Sequence, residues 1–171
     1  MAMYRALLGP DFDQLTQPLQ DFHERNFCAQ GSLTVTHNSN SIAKIVIWLT
    51  RLPKEGSNLR TTVEVLAMND REAWFRRIGK SKLMSKQSIR NGQLVERFGP
   101  MTIRFLTVVK DGGLIYQSDQ TRLFGLPVPK FARLSITAST MPSRVGWVVL
   151  VQVHFGKFGT ICQYEGEMQL V

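Results

Sequence analysis

The chain has 171 residues and a mass of 19.4 kDa, the size of one domain, and its 43% hydrophobic and 20% charged residues exclude a disordered or fibrous chain. Lys and Arg number 21 against 13 Asp and Glu, a formal net charge of +8 that favours acidic partners such as nucleic acid or an anionic membrane. The basic residues are dispersed without any block of like charge, so a solvated basic surface is the plainer reading.

Met3, Tyr4, Leu7 and Leu8 suit a short opening helix or turn. Residues 10 to 24 read as a helix, with Pro10 and Asp11 in its first turn and Leu15, Leu19 and Phe22 at helical spacing. A strand is expected from Phe27 to Thr36, where Phe27, Ala29, Leu33 and Val35 alternate with polar neighbours. A second helix is expected over Ser41 to Leu52, capped within Asn38 to Ser41 and ended by Pro53. Its apolar stripe is Ile42, Ile45, Val46, Leu49 and Leu52, with Lys44, Arg51 and Lys54 nearby. Such a basic amphipathic helix can lie on a membrane, but packing on its own sheet is the expectation.

From Asn58 onward the chain is punctuated by hairpin signals at Asn69-Asp70, Asn91-Gly92 and Asp111-Gly112. Breaks follow at Phe98-Gly99-Pro100, Met141-Pro142-Ser143 and Gly156 to Gly159. Short connections force antiparallel pairing, because a parallel return needs a long crossover. Around Asn91-Gly92, Ile89 should meet Leu94 and Gln87 should meet Glu96. Around Asp111-Gly112, Val109 should meet Leu114, Thr107 Tyr116 and Phe105 Ser118, with Arg104 opposite Asp119. In the last hairpin, residues 145 to 155 and 160 to 169, Val153 should meet Cys162 and Val151 Tyr164. That register buries Val149, Val151, Val153, Tyr164 and Met168 and exposes Gln163, Glu165 and Glu167; a slip of one would bury the glutamates. The fold expected is α+β, mainly β: a strongly curved antiparallel meander or incomplete barrel of about ten strands with two helices. Such a sheet can enclose a pocket.

Cys28 and Cys162 make no C-x-x-C pair, and reduced, buried thiols are expected. Gly79-Lys80-Ser81 lacks the glycine that a phosphate-binding loop needs five positions earlier, where Trp74 stands. His23, His37 and His154 show no metal-ligand spacing, and no cofactor motif occurs. Glu96, if it points inward beside Gln87, is a carboxylate needing a partner such as Arg76 or Arg122. It is then either a polar anchor for a ligand or half of a structural ion pair at a sheet edge. Trp74-Phe75-Arg76-Arg77 is the one local candidate for stacking on nucleic acid. The opening residues lack the pattern of a secretory signal, and the cytoplasm is the expected location.

Tyr4 to Gly9 with Phe12, Leu19 to His23, Gly31 to Val35, Leu94 to Pro100, Leu123 to Pro129 and the terminal Tyr164-Glu165-Gly166 together resemble the bacterial family catalogued as domain of unknown function 4166. The resemblance spans essentially the whole chain and implies no assigned activity and no catalytic residues. It does imply an accessory or ligand-handling role, since family members can be attached to dehydrogenase-like oxidoreductases, which makes association with an oxidoreductase an expectation.

Three functions follow as expectations. The first is a non-catalytic module binding a small apolar or lipid-like ligand, with Glu96, Gln87, Tyr116, Arg76 and Arg122 as candidate ligand contacts. The second is an enzyme with Glu96 or His154 as acid or base. The third is binding of an anionic membrane or, less favoured, of nucleic acid through the basic surface.

Overall fold

The computed structural model describes residues 2–24, 28–68 and 71–171. Helices α1 (Met3–Leu8) and α2 (Gln17–Glu24) flank a 3-10 segment, Gly9–Gln14. Strand β1 (Cys28–His37) leads to α3 (Ser41–Thr50). The rest of the chain is β2 (Gly56–Met68), β3 (Arg71–Ile78), β4 (Ser81–Arg90), β5 (Gln93–Phe98), β6 (Met101–Lys110), β7 (Gly113–Leu123), a two-residue β8 (Leu126–Pro127), β9 (Leu134–Pro142), β10 (Trp147–Phe155) and β11 (Thr160–Leu170).

Every pairing is antiparallel, in the order β6-β5-β4-β3-β2-β1-β11-β10-β9-β7, and β7 also pairs with β6. The meander therefore closes into a ten-stranded barrel, with β8 attached to the far half of β7. The curved sheet expected from sequence is complete, so Glu96 on β5 lies between two strands and not at an edge. Closure depends on β7 serving two partners on one side. Leu114 to Gln117 pair with β9, while Arg122 and Leu123 pair with β8. Between these halves the strands diverge, and side chains bridge them: the Thr121 hydroxyl donates to Leu134 O, and Ile136 N donates to the Ser118 hydroxyl.

The turns at Asn91-Gly92 and Asp111-Gly112 have positive φ at both central residues, as two-residue hairpins of matching twist require. All the cross-strand pairs expected around these turns and in the last hairpin are present, with one local change. A bulge at Asp119 places Gln120, not Asp119, across from Arg104. The ion pair survives the shift: Arg104 Nε lies 2.8 Å from Asp119 Oδ1, and the guanidinium holds the carboxyl below its usual range. The turn expected at Asn69-Asp70 and the strand start at Phe27 fall outside the described residues.

Two helical expectations are corrected. Residues 10 to 24 do not form one helix, because Pro18 has no N–H to continue a ladder from Gln14. The chain instead breaks at Leu15 and Thr16, and α2 restarts with Pro18 in its first turn, where the missing donor costs nothing. Thr16 N is held by Gly112 O, which fastens the break to the β6–β7 turn. Leu15, Leu19 and Phe22 are buried in spite of the break. The apolar stripe of α3 is real, but it mostly faces away from the barrel. Ala43 and Ile47 are the buried residues, Val46 and Leu52 pack partly on the core, and Ile42, Ile45 and Leu49 are exposed. Small Ala43 lets the helix backbone approach the barrel, and Asn40 caps its N-terminus by accepting from Ile42 N.

The barrel has two unlike mouths. The first holds α1, α2 and the turns after β4, β6 and β9. Tyr4 enters the barrel there and is completely buried, donating to Gln87 Oε1 at 2.9 Å. The second mouth carries the connections after β1, β3, β5, β7 and β10, including α3.

The last hairpin fixes inside from outside, since Val151, Val153 and Met168 are buried while Glu165 and Glu167 are exposed. Val151→Asp should cost about 3 kcal/mol or more by burying a charge in place of an apolar side chain. Glu165→Gln should change stability by less than about 0.5 kcal/mol. Urea melts of both variants check this; a more damaging Glu165→Gln would invert the assignment.

Candidate ligand-binding cavity

The period-2 pattern aims one side chain in two at the barrel axis. On β3 these are Glu72, Trp74, Arg76 and Ile78; on β4, Leu83, Ser85 and Gln87; on β5, Leu94, Glu96 and Phe98. The strands thus bring together polar groups that lie far apart in sequence. Arg76 Nη2 lies 2.9 Å from Glu96 Oε1, and Arg76 Nη1 donates to the Ser85 hydroxyl at 2.8 Å. Ser85 in turn donates to Glu96 Oε1 at 2.5 Å. The Arg76 guanidinium lies over the Trp74 ring, 4.7 Å from its centroid, which offsets part of the cost of desolvating it.

Arg76 and Glu96 of this cluster, with Gln87, form the polar wall of a cavity of about 160 Å3. The other walls are apolar, with Leu33 and Val63 on one side, Phe105 and Ile136 on another, and Phe22 and Trp147 below. The volume has room for roughly five waters or a small organic group. Among the polar side chains on its wall, Gln87 and Tyr164 each keep an unspent donor. Gln87 uses its amide oxygen on Tyr4, and its amide nitrogen has no partner among the described residues. The Tyr164 hydroxyl likewise makes no hydrogen bond among them, although it lines the cavity. Burial pushes the Tyr164 and Tyr116 phenols above their ordinary range, so both stay neutral hydrogen-bonding groups.

The helical plug supplies the floor. His23 is buried, with its ring centroid 3.9 Å from that of Tyr4. Burial lowers its pKa to about 3, so it is uncharged at neutral pH. Glu72 accepts from Trp74 Nε1 at 3.0 Å, and burial raises its pKa to about 7 in spite of that bond. Burial also raises the Cys162 thiol to about 12, which keeps it protonated and unreactive.

Of the five candidate contacts read from sequence, Glu96, Gln87, Tyr116 and Arg76 meet at this cavity. Arg122 does not: it is exposed on β7, across from Thr102 and Pro127, because the bulge at Asp119 shifts the register before it. Arg76 is the partner of Glu96. His154 faces outward, with Nδ1 3.0 Å from the Thr160 hydroxyl, so it shares no site with Glu96. Trp74 and Arg76 point inward, which leaves only Phe75 and Arg77 of that run on the outer surface. The sequence reading missed Tyr164 as a cavity group, treating it as core, and it missed Tyr4, His23 and Glu72. Their signal was a polar tip within an apolar pattern, which alternation alone does not separate from packing.

His23 on the plug and Glu72 on β3 make opposite contributions to stability against pH. The lowered pKa of His23 gives stability that is present above about 6.5 and lost as pH falls toward about 3. The raised pKa of Glu72 gives stability present below about 4.5 and lost as pH rises through about 7. Between pH 4.5 and 6.5 the two slopes oppose each other. Glu72→Gln should therefore steepen the loss of stability on acidification in that window, and His23→Phe should reverse its sign. Denaturant melts at stepped pH check both. Arg76→Met should cost about 3–5 kcal/mol by stranding Glu96, and adding Glu96→Gln should recover much of it.

Among the described residues no helix is long and apolar enough to cross a membrane. No curated protein and no solved structure matches the chain. A family model described as domain of unknown function (DUF4166) matches residues 15–168, which includes every strand of the barrel but for the last two residues of β11, and all the cavity's polar residues except Tyr4. The chain belongs to this family.

Proposed function

We propose that the barrel is a binding module for a small amphipathic molecule with an apolar body and an uncharged, hydrogen-bonding head. The observation that carries this reading is a pair of unspent donors, Gln87 Nε2 and Tyr164 Oη, on the wall of a cavity that is mostly apolar apart from the paired Arg76 and Glu96. Buried polar groups are nearly always satisfied, so a site that presents such donors to a cavity is suited to an acceptor brought by a ligand. The head is uncharged because Arg76 is already neutralised by Glu96. An added carboxylate would leave one negative charge without a partner in a desolvated site, whereas a carbonyl, ester or hydroxyl would satisfy the donors at no such cost.

Calorimetric titration with short-chain amphiphiles small enough for the cavity, an amide-headed and a carboxylate-headed one of equal chain length, tests this at pH 7. The amide should bind at least about tenfold more tightly, by roughly 1.4 kcal/mol. Tyr164→Phe should weaken the amide by about threefold to tenfold, the usual worth of one hydrogen bond, with little change in stability. Equal affinity for the two heads, or tighter binding of the carboxylate, would reject the reading.

A further inference from the structure

The second mouth of the barrel combines exposed apolar side chains with a one-sided charge. Its five connections, residues 38 to 55, 79 to 82, 97 to 101, 122 to 133 and 155 to 160, are stitched into one rim by hydrogen bonds between them. Asn38 donates to Thr160 O, Lys54 N to the Ser81 hydroxyl, Phe124 N to Pro100 O and Gly156 N to Arg133 O. On this rim stand Ile45, Trp48, Leu49, Phe124, Leu126 and Phe131, each more than half exposed, with Trp48 at 77% and Phe124 at 79%. The same residues carry ten of the chain's 21 Lys and Arg, but only one of its 13 Asp and Glu, Glu55. The opposite mouth is nearly balanced: its helices and its turns after β4, β6 and β9 hold Asp11, Asp13, Asp21, Glu24 and Asp111 against Arg5, Arg90, Lys110 and Arg144.

We infer that this rim docks on an anionic lipid bilayer, with α3 lying in the interface and the Phe124 and Phe131 loop beside it. Two observations choose this occupant. The exposed face of α3 is largely aliphatic, which suits acyl chains and gives nucleic acid bases little to stack on. A second copy of the same face would set like charges against one another, whereas anionic headgroups complement them. Lys130 beside Phe131 and Lys157 beside Phe158 pair a cation with an aromatic ring, the combination that suits the headgroup boundary. The inference stands on the rim alone and holds whatever the cavity contains.

Flotation with vesicles of equal parts phosphatidylglycerol and phosphatidylcholine, and with pure phosphatidylcholine vesicles, tests it. The protein should float with the anionic vesicles, much less with the neutral ones, and should be released at high salt. Trp48 should report the contact by a blue shift in emission, because Trp74 and Trp147 are already buried. Trp48→Phe should abolish that shift while keeping flotation. Lys130→Glu with Lys157→Glu should lower partitioning by more than about tenfold, and Trp48→Ser with Phe131→Ser by a similar factor. All four side chains are exposed or on surface turns, so unchanged denaturation midpoints should accompany these losses. Absence of flotation, equal flotation with neutral vesicles, or variants that float like the wild type would overturn the inference. So would a dimer dispersed by Trp48→Ser, or oligonucleotide binding without flotation.

Discussion

Ten strands make a ring wider than its own inward side chains can fill, and this constraint governs the rest of the molecule. Smaller closed barrels pack solid, whereas a barrel of this size needs a plug, a cavity or both. The N-terminal helices supply the plug. Tyr4 is driven between β4 and β7, and Phe12, Leu19 and Phe22 are buried behind it. What the plug leaves empty is the cavity, and the polar residues of β3, β4 and β5 line one side of it.

Closure of the ring also explains why a charged pair is tolerated inside. On an open sheet Arg76 and Glu96 would stay hydrated; within the barrel they must satisfy each other, and Ser85 and the Trp74 ring complete their surroundings. The pair is a costly way to fill space, since apolar residues of similar volume commonly serve as well or better. Its presence beside Gln87 and Tyr164 gives the cavity a polar end and an apolar end, which is the asymmetry an amphipathic ligand requires.

Much of this was legible in the sequence, because strand alternation and two-residue turns are local signals. The registers at Asn91-Gly92, Asp111-Gly112 and the last hairpin followed from matching apolar faces, and with them the meeting of Gln87 and Glu96. What was not legible was non-local. Ring closure rests on Leu114 to Gln117 of β7 pairing with Thr137 to Thr140 of β9, a contact that no local pattern marks, and the equally unmarked bulge at Asp119 turned Arg122 away from the cavity. The stripe on α3 was visible, but periodicity shows that a helix has an apolar face and not what that face meets.

A binding cavity differs from a packing defect in that a ligand fills it. A native mass spectrum of the protein, purified without detergent, tests this directly, with Ala138→Leu as the comparison because Ala138 lines the cavity and a larger side chain fills it. The wild type should carry a small adduct above 19.4 kDa that organic solvent extracts, and Ala138→Leu should carry less of it at equal stability. Bare polypeptide alone in the wild type, with no adduct after incubation with the amide-headed amphiphile, would contradict a binding role for the cavity.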